Sequence, residues 1–596
     1  MANRFFSSVT CMPVRLRLFA CVALVCFLPT TPAFAAGDKP PAPAVASAHP
    51  AATAAGMEVL QAGGNAFDAA VAITAALAVV EPQGSGLGGG GFWLLHHAEE
   101  NRDVMVDGRE EAPGAATRDM YLDDEGNFVQ DLSRNGALAA GIPGEPAALA
   151  HIAQRYGRLD LARTLAPAIR LAREGFEIND HMHALAQYRK DVLAKYPASA
   201  ALLLDDDGDV LPAGTLFKQP DLAATLEALA SHGRDGFYEG EVARRLVEAV
   251  RSAGGIWSRQ DLANYDVIER EPTRGSYRTP NGEYQIVSGS PPSSGGPVLV
   301  EALNILEGFD WASLDDIERR HVTIEAMRRA YRDRAAYLGD PDFVDMPIAR
   351  LIDKHYAAGL RVGIRMDRAT PSDELAGVNA ERASGHHTTH FSVIDAEGNR
   401  VAATLSVNFP FGSGLVAADT GVFLNDEMDD FSAKPLAPNG YGLVGSEANA
   451  IAPGKRPLSS MTPTFVVGDN REIALGTPGG SRITTMVLLG VLDFAHGGDA
   501  ASVVGKPRYH HQYLPDHVEY EPGALSADTR AGLKKLGHRL KNVDRHYGDM
   551  HAVIWNKAES RMDAASDPRG IGCAAIGESA PVCEHESRDA EAATAD

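Results

Sequence analysis

The chain has few cysteines and few tryptophans, five and four respectively in 596 residues, and it has no block of basic residues. Three of the cysteines lie in the first 37 residues, and elsewhere no cysteine pair has the short spacing of a structural zinc site. The formal net charge of −24 without a basic stretch argues against binding to nucleic acid or to an anionic membrane surface. Beyond the first 37 residues, no apolar run approaches the roughly 20 residues that a membrane-spanning helix needs. The 45 % of hydrophobic residues can still supply the core of one large or two ordinary domains.

Sequence signatures of several enzyme classes are missing as well. The glycine-rich stretch Gly84–Gly91 lies between a predicted helix and a predicted strand, whereas nucleotide-binding loops run from a strand into a helix. No Gly-x-Ser-x-Gly elbow of a serine esterase occurs. His387 and His390 are three residues apart, and His510 and His511 are adjacent; on a strand, both spacings point the side chains to opposite faces. We therefore predict no metal site and no cofactor.

The first 35 residues have the features of a cleavable secretory signal. Arg4, Arg15 and Arg17 occur without an acidic residue, the apolar run Leu18–Leu28 follows, and Ala33–Ala35 offers a cleavage site. The apolar run is too short to span a bilayer comfortably, although a retained membrane anchor is the alternative. We therefore expect a periplasmic or secreted protein whose mature chain begins at about residue 36.

The beginning of the mature chain is predicted to be a flexible leader followed by two helices. Residues 37–46 are rich in proline and alanine, which favours a flexible leader. A helix is predicted over Ala51–Ala62, where Gly63-Gly64 ends it, and a second, apolar helix over Ala66–Val80 with Asn65 as its N-cap. The glycine-rich turn then leads into a buried strand over Phe92–His96.

The remainder divides into a helix-rich block and a strand-rich block. Residues 140–380 are mostly helical by their periodicity, and residues 376–387 have little apolar content and predict an exposed loop. After that loop, short extended runs and glycine turns predominate, with one helix near Thr484–Phe494. Such blocks suggest sheets sandwiched by helices.

The end of the chain, residues 567–596, is acidic and low in bulky apolar residues, and a flexible surface tail is predicted there. It holds Cys573 and Cys583, ten residues apart. In an oxidising compartment they would close a small loop, and the alternative is two exposed thiols.

The most informative segment is a predicted β-hairpin around the turn Ala396–Asn399. Both flanks are short and β-prone. Counting outward from the turn places Thr388 opposite about Val407, with Ser406 and Asn408 within one strand step. A threonine at a strand start, surrounded by small polar groups, suits one chemistry in particular.

That chemistry requires the bond between His387 and Thr388 to be cut. Inside a chain, Thr388 has an amide nitrogen without basicity, whereas a freed Thr388 has an α-amine with a pKa of about 7.7 to 8.0. One residue then carries both the hydroxyl nucleophile and its general base, which is the N-terminal threonine form of covalent catalysis.

Further segments, taken in order, resemble the γ-glutamyltranspeptidase family over about residues 45–567. The matching segments downstream of Thr388 are Asn408–Gly414, Gly421–Phe431, Lys455–Pro463, Gly476–Arg482 and Pro507–Gln512. The matching segments upstream are Gly63–Ala70, Gly88–Phe92, Asp107–Glu110 and Pro291–Gly296. The resemblance implies an α+β fold, the four-layer αββα sandwich of N-terminal-nucleophile hydrolases. It also implies two subunits from one self-cleaved precursor, a large subunit of residues 36–387 and a small catalytic subunit of residues 388–596.

The resemblance further implies a site for a γ-glutamyl group, which carries an α-carboxylate and an α-ammonium. The residues at the family's carboxylate-binding positions are Arg109, Ser459 and Ser460, and those at its ammonium-binding positions are Asn408, Glu427 and Asp430. Glu427 and Asp430 would diverge on a straight strand, so we expect a turn or a helix start there.

Three expectations concern the reacting groups. Gly479 and Gly480 match the glycine pair that the family uses as its oxyanion hole. Ser406 stands where relatives commonly carry a threonine whose hydroxyl contacts the nucleophile. His387 is not a residue expected before the cut, which bears on the rate of processing rather than on the mechanism.

The segment Pro435–Ser446, with Tyr441, resembles the lid of many bacterial members. Such a lid excludes water and affects the choice between hydrolysis and transfer. The alternative is a passive connection rich in proline and glycine.

The resemblance thus implies an enzyme without a cofactor that acts on glutathione and related γ-glutamyl compounds. It would transfer the γ-glutamyl group to water, or to amino-acid or dipeptide acceptors, through a γ-glutamyl-threonine intermediate, with the two subunits associated as a heterodimer. The alternative enzyme is a glutaryl or cephalosporin-type acylase of the same fold. An uncut binding protein is the alternative from another class.

Overall fold

The computed structural model describes residues 39–375, 388–434 and 437–583. The predicted signal and His387 lie outside these ranges. The strands, in chain order, are β1 (Ala44–Ser47), β2 (Gly90–His97), β3 (Arg102–Gly108), β4 (Phe176–Glu177), β5 (Leu216–Phe217), β6 (Ile268–Arg270), β7 (Thr273–Thr279), β8 (Gly282–Ser288), β9 (Thr389–Ile394), β10 (Arg400–Ser406), β11 (Val416–Ala417), β12 (Val422–Phe423), β13 (Thr464–Val467), β14 (Arg471–Gly476), β15 (Tyr509–His510), β16 (Val518–Tyr520), β17 (Leu540–Asn542), β18 (His551–Asn556), β19 (Arg561–Ser566) and β20 (Cys573–Ile576).

The helices, in chain order, are α1 (Pro50–Gln61), α2 (Ala66–Val80), α3 (Gln130–Arg134), α4 (Glu145–Tyr156), α5 (Leu161–Glu174), α6 (Asp180–Leu193), α7 (Pro197–Leu203), α8 (Pro220–His232), α9 (Asp235–Tyr238), α10 (Gly240–Ser252), α11 (Arg259–Asn264), α12 (Gly295–Leu306), α13 (Asp316–Tyr337), α14 (Ile348–Leu351), α15 (Lys354–Val362), α16 (Ile483–Ala495), α17 (Ala500–Gly505) and α18 (Ala527–Lys535). Within the described ranges, no helix is long and apolar enough to cross a membrane.

Two large antiparallel sheets form the centre of the molecule. The first sheet has the strand order β20-β1-β9-β10-β2-β3-β6, and the second has the order β19-β18-β14-β13-β8-β7. The two sheets face each other, because β9 and β10 contact β14, and β9 and β1 contact β18. Both sheets combine strands from before and after Thr388.

Helices cover the outer face of each sheet. On the first sheet, α1, α2 and α4 contact strands β1, β9, β10 and β3, and on the second sheet α12, α16 and α17 contact strands β7, β8, β14 and β18. Along β10 the apolar side chains alternate: Val401, Ala403 and Leu405 pack on the helix side, and Ala402 packs between the sheets. The predicted αββα sandwich is therefore confirmed.

The apolar helix α2 belongs to the helix layer on the first sheet, and all of its residues are buried. Asn65 accepts hydrogen bonds from the N–H groups of Phe67 and Asp68, and the Asp68 carboxylate accepts one from the N–H of Asn65, which forms a capping box. The prediction of this helix and its cap is confirmed.

Two expectations about the ends of the chain are wrong. The predicted flexible leader contains the strand β1, which is buried and pairs with β9 on one side and β20 on the other. The predicted tail from Asp567 contains β20, and Asp567 itself is buried and accepts a hydrogen bond from the N–H of Gly570 and one from Arg569 Nη1. Cys573 and Cys583 are joined by a disulfide, with their Cα atoms 4.3 Å apart. Residues 584–596 lie outside the described ranges.

The hairpin forms as predicted, but with a register shifted by one residue. Ile394 pairs with Arg400 and Thr389 pairs with Leu405, so that Thr388 lies level with Ser406 and not with Val407. The difference arises because Asp395 belongs to the turn, where its N–H donates to the carbonyl of Asn399 at 3.0 Å. The helix-rich block is confirmed by α4 to α15, although the strands β4 to β8 interrupt it.

Candidate active site

Thr388 lies immediately before β9, level with the last residue of β10. Its Oγ1 is 3.3 Å from the Oγ of Ser406, and the Ser406 Oγ accepts a hydrogen bond from the N–H of Asn408 at 2.7 Å. The Ser406 hydroxyl is therefore held in place by backbone on one side and faces the Thr388 hydroxyl on the other. His387, the other half of the predicted cleavage site, is outside the described residues.

Thr388 opens onto a cavity that gathers most of the predicted site. Ten of the eleven predicted residues line it: Arg109, Thr388, Ser406, Asn408, Glu427, Asp430, Tyr441, Ser459, Ser460 and Gly480. Gly479 is the exception, and it lies next to Gly480 without lining the cavity. These residues come from segments that are far apart in the sequence, so the fold brings them together.

Arg109 is the buried cation of the cavity and is surrounded by carboxylates. It follows β3, and its Nη1 lies 2.7 Å from Glu427 Oε2 and 3.4 Å from Glu110 Oε2. Its Nη2 lies 2.5 Å from Asp430 Oδ2, and its Nε donates to the carbonyl of Pro457 at 3.2 Å. Burial lowers the pKa of Arg109, but these carboxylates more than reverse the effect and hold it above its usual range.

Three acids surround Arg109, and burial raises the pKa of each of them. Burial raises the pKa of Glu427 to about 7 although Arg109 lowers it, and burial also raises the pKa of Asp430 against the effect of Arg109. Burial and the nearby Glu427 carboxylate hold the pKa of Glu110 well above its ordinary value. An ammonium group of a ligand placed here would favour the ionised form of these carboxyl groups, because a nearby positive charge lowers the pKa that burial raises.

A short helix explains how Glu427 and Asp430 converge. Residues Glu427–Asp430 form a 3₁₀ helix, in which side chains three positions apart lie one above the other. The expected turn or helix start at this position is therefore present. Asn408 approaches the same region: its φ of 75° is in the left-handed range that asparagine tolerates, and its Nδ2 donates to the carbonyl of Asp426 at 2.9 Å.

The serine pair Ser459-Ser460 is held by the Pro291–Gly296 motif. Ser459 N–H donates to the carbonyl of Pro292 at 2.8 Å, and the N–H and the hydroxyl of Ser294 both donate to the carbonyl of Ser459. The Oγ of Ser459 accepts from the N–H of Met461 at 3.1 Å, and the Oγ of Ser460 accepts from Nη2 of Arg334 at 3.2 Å. Within the described ranges, neither serine hydroxyl donates to an acceptor, so both O–H groups are available to an anion in the cavity.

The glycine pair begins the turn into α16. Gly479 has a φ of 143° and Gly480 a φ of 56°, and a 3₁₀ turn over Gly480–Arg482 leads into the helix. A Cβ at Gly480 would lie 2.4 Å from the Tyr441 ring. Positive φ and the close aromatic ring together require glycine here. Backbone N–H groups at such a turn can bind a developing oxyanion.

Tyr441 belongs to the predicted lid and is buried over the site. Its hydroxyl donates to the carbonyl of Asn408 at 2.9 Å, and its ring stacks on Phe409 with centroids 5.2 Å apart. The N–H of Gly440 donates to Asp429 Oδ2 at 2.7 Å. These contacts fasten residues 437–446 across the cavity in this structure.

Sequence reasoning missed several residues at the site. Four more line the cavity: Leu443, Met461, Ser481 and Ile483. Met461 and Ser481 directly follow predicted site residues, so adjacency could have identified them. Leu443 lies in the predicted lid segment, two residues after Tyr441, whereas Ile483 lies outside the matching segments and carries no local signal. The same is true of Glu81, which accepts a hydrogen bond from the hydroxyl of Thr389, the residue after Thr388, at 2.8 Å.

One buried cluster, distant in sequence from the cavity residues, has the composition of a metal site. His321, Glu325 and His538 bring their ligand atoms within 4.8 Å of one another. However, His321 Nδ1 and His538 Nε2 are 2.7 Å apart, which is a hydrogen-bond distance, and Glu325 is ion-paired with Arg328 and Arg329. Hydrogen bonds and ion pairs thus account for these groups without a metal ion.

Known proteins match the chain over most of its length. The family model described as Gamma-glutamyltranspeptidase matches residues 52–577. The chain is 42% identical over 532 residues to a glutathione hydrolase proenzyme of Escherichia coli K12, with 88% of this chain and 90% of that protein covered. The structure is similar to a cephalosporin acylase from Bacillus halodurans (TM-score 0.79, 27% identity, 90% and 96% covered). It is also similar to the Helicobacter pylori gamma-glutamyltranspeptidase (TM-score 0.53, 42% identity, 55% and 93% covered). The extent of the family match and the identity to the E. coli relative show that this chain belongs to the γ-glutamyltranspeptidase family.

Proposed function

We propose that the chain is the precursor of a γ-glutamyltranspeptidase and glutathione hydrolase that cuts itself between His387 and Thr388. The observation that carries the proposal is the Thr388 hydroxyl 3.3 Å from Ser406, in a cavity where Glu427 and Asp430 both contact Arg109. The first feature suits a nucleophile at a new chain terminus, and the second suits a ligand that is a zwitterion. Family membership supports both.

The cut adds water across one peptide bond and creates the catalytic base. The α-amine of Thr388 then takes the proton from its own hydroxyl as Oγ1 attacks the γ-carbonyl carbon of the substrate. The N–H groups of Gly479 and Gly480 stabilise the oxyanion of the tetrahedral intermediate. The leaving amine takes the proton, and a γ-glutamyl ester of Thr388 remains.

A second nucleophile completes the reaction. Water, or the amine of an amino acid or dipeptide, attacks the ester carbonyl, and Thr388 recovers its hydroxyl proton through the same α-amine. Tyr441 and the segment around it lie over the cavity and limit the access of water to the ester.

Binding of the γ-glutamyl head uses both signs of charge. Ser459, Ser460 and Arg109 hold the α-carboxylate, since both serine hydroxyls lack an acceptor among the described residues and Arg109 is a guanidinium. Glu427 and Asp430 hold the α-ammonium, together with Asn408.

The rival enzyme is an acylase for glutaryl groups, supported by the similarity to the cephalosporin acylase structure. A glutaryl group has the carboxylate but lacks the amine, so it gives the surplus acids no counterion. We expect γ-glutamyl anilides to be cleaved with a kcat/KM at least about 10-fold above that of glutaryl anilides. Equal or greater activity on the glutaryl compound would favour the acylase.

The proposal also covers where and in what form the enzyme works. Residues 1–35 direct the chain to the periplasm or outside the cell, and the large and small subunits, residues 36–387 and 388–596, act together as a heterodimer.

The direct test is the intact mass of purified wild type beside Thr388→Ala and Thr388→Ser. The wild type should give two fragments that meet at the His387–Thr388 bond, and Thr388→Ala one uncut chain. Thr388→Ser keeps a hydroxyl and should be cut. A wild type that turns over glutathione as a single uncut chain would contradict the proposal.

A further inference from the structure

Arg334 is a buried cation beside the cavity. It lies in the last turn of α13 and is 5% exposed. Its Nε donates to the hydroxyl of Ser294 at 2.9 Å, and its Nη2 donates to the Oγ of Ser460 at 3.2 Å. Among the residues that the structure describes, no carboxylate lies within salt-bridge distance of its guanidinium. The Arg334 charge is therefore held by neutral hydroxyls.

The neighbouring arginines on α13 are paired, which makes Arg334 an exception. Arg329 lies 2.6 Å from Glu325, Arg328 pairs with Glu325 and Asp516, and Arg332 lies 2.8 Å from Asp333. Leaving a buried charge without a counterion costs several kcal/mol in general, and the negative end of a helix dipole compensates only in part. An anionic ligand that binds nearby would stabilise such a buried cation.

Ser460 lies between Arg334 and the cavity, and its hydroxyl can transmit the effect of the Arg334 charge to a bound ligand. The Ser460 Oγ accepts from Arg334, so its own hydrogen points elsewhere, and within the described ranges it has no acceptor. Ser460 lines the cavity with Thr388 and Arg109. A hydroxyl that accepts from a guanidinium is a stronger donor than an isolated one, because successive hydrogen bonds polarise one another.

The positive charge of Arg109 is already offset by neighbouring acids, so a second cation can contribute to binding of an anion. Three acids already surround it, with Glu427 at 2.7 Å and Asp430 at 2.5 Å. The field at the cavity is therefore not strongly positive near Arg109, although the substrate brings an α-carboxylate to the same place. An additional positive charge on the serine side of the cavity would strengthen the attraction for the α-carboxylate.

We propose that Arg334 is a positioning residue for the substrate: through the Ser460 hydroxyl it supplies the second positive charge that holds the α-carboxylate of the γ-glutamyl group. This inference rests on the proposed function, because it assumes a γ-glutamyl substrate in this cavity. Arg334 does not touch the reacting atoms, so its effect is on binding rather than on the chemical step.

The test compares Arg334→Gln with wild type on two anilides that differ only in the α-carboxylate. For γ-glutamyl-p-nitroanilide, KM should rise on the order of 10- to 100-fold with kcat within about 3-fold. For 4-aminobutyryl-p-nitroanilide, which lacks the carboxylate, kcat/KM should stay within about 3-fold of wild type. Competitive inhibition by free L-glutamate should weaken by the same factor as binding of the first anilide.

Two further variants separate positioning from a general loss of charge or of structure. Arg332→Gln removes one positive charge from the same helix and should leave KM unchanged. The double variant Arg334→Gln/Ser460→Ala should raise KM little beyond either single variant, because the two residues act in series. Self-cleavage, read by intact mass, reports that each variant folds.

If Arg334→Gln does not fold, Arg334→Lys and Ser294→Ala keep a positive charge while disturbing its placement, and they should raise KM for the carboxylate-bearing anilide only. Equal losses on both anilides, an additive double variant, or an unchanged KM would overturn the inference. A wild type inactive on γ-glutamyl-p-nitroanilide would instead overturn the proposed function.

Discussion

At the scale of single residues, most of the residues that line the cavity were predictable because their motifs resemble those of a known family. Thr388, Arg109 and Gly480 stand in such motifs and line the cavity, although each of these residue types is common at ordinary structural positions. Arg334 was not predictable, since α13 contains six arginines and only packing decides which of them lies under the cavity. The sequence therefore indicates the residues that line the cavity better than the residues that lie behind them.

Ser406 is predicted to orient the nucleophile. Ser406→Ala removes the hydroxyl 3.3 Å from Thr388 Oγ1 and leaves the buried N–H of Asn408 without its acceptor. We expect kcat on a γ-glutamyl anilide to fall on the order of 10- to 100-fold and the free energy of unfolding to fall by about 1–3 kcal/mol. Steady-state kinetics and thermal unfolding measure the two effects.

Ser406→Thr is the matched control, because it keeps the hydroxyl and adds the methyl group that relatives commonly carry. Its activity should equal or exceed that of the wild type. A Ser406→Ala variant with full activity would show that Thr388 needs no partner at this position.

Asp430 is predicted to select for an ammonium group. Its carboxylate lies 2.5 Å from Arg109, and Asp430→Asn removes one negative charge from a group of three acids. We expect KM for a γ-glutamyl anilide to rise about 10-fold or more, while KM for the glutaryl anilide stays the same or falls. The measurement is the ratio of the kcat/KM values for the two anilides. Asp429→Asn is unsuitable as a control because the Asp429 carboxylate accepts hydrogen bonds from the Ser133 hydroxyl and the Gly440 N–H. A ratio unchanged from wild type would show that Asp430 does not contribute to recognition of the ammonium group.

At the scale of elements, local signals predicted some segments and failed for others. The helix α2 was predicted because its apolar run and its cap agree with each other. The strands β1 and β20 were missed because each has four residues and is stabilised by pairing with neighbours from remote parts of the chain. Short strands of this kind depend on tertiary contacts more than on intrinsic preference.

The contact between α2 and β9 predicts a pH dependence of stability. Glu81 caps the end of α2 and accepts a hydrogen bond from Thr389, and burial together with nearby Asp549 raises its pKa to about 7 from 4.5. The folded state therefore keeps a proton that the unfolded state loses above pH 4.5. Stability contributed by this group is lost as the pH rises from 4.5 to about 7, and the loss amounts to about 3 kcal/mol.

Glu81→Gln tests this dependence because it keeps an acceptor for Thr389 and cannot ionise. Its melting temperature relative to wild type should be higher at pH 8 than at pH 5, as followed by calorimetry across that range. The exposed Glu177→Gln is the control and should not change the dependence. A constant difference between Glu81→Gln and wild type at all pH values would contradict the assignment.

At the scale of the whole molecule, the fold makes the cut chain hard to separate. In the first sheet, β9 and β10 follow Thr388 but lie between β1 and β2, which precede it. In the second sheet, β13 after the cut pairs with β8 before it. Separating the two fragments would break both sheets and expose the apolar layer between them, which contains residues from both sides of the cut. This arrangement was not evident from periodicity, because pairing between remote strands leaves no local trace.

We therefore expect the two fragments to stay together after cleavage. On size-exclusion chromatography without denaturant, fragments 36–387 and 388–596 should elute in one peak with the volume of the uncut Thr388→Ala chain. They should separate only at a denaturant concentration that also abolishes activity, because separation requires exposure of the shared core. Fragments that separate in native buffer while each retains its ellipticity would show that the two sides of the cut fold as independent units. That outcome would contradict the expectation, which rests on the interleaved strand order.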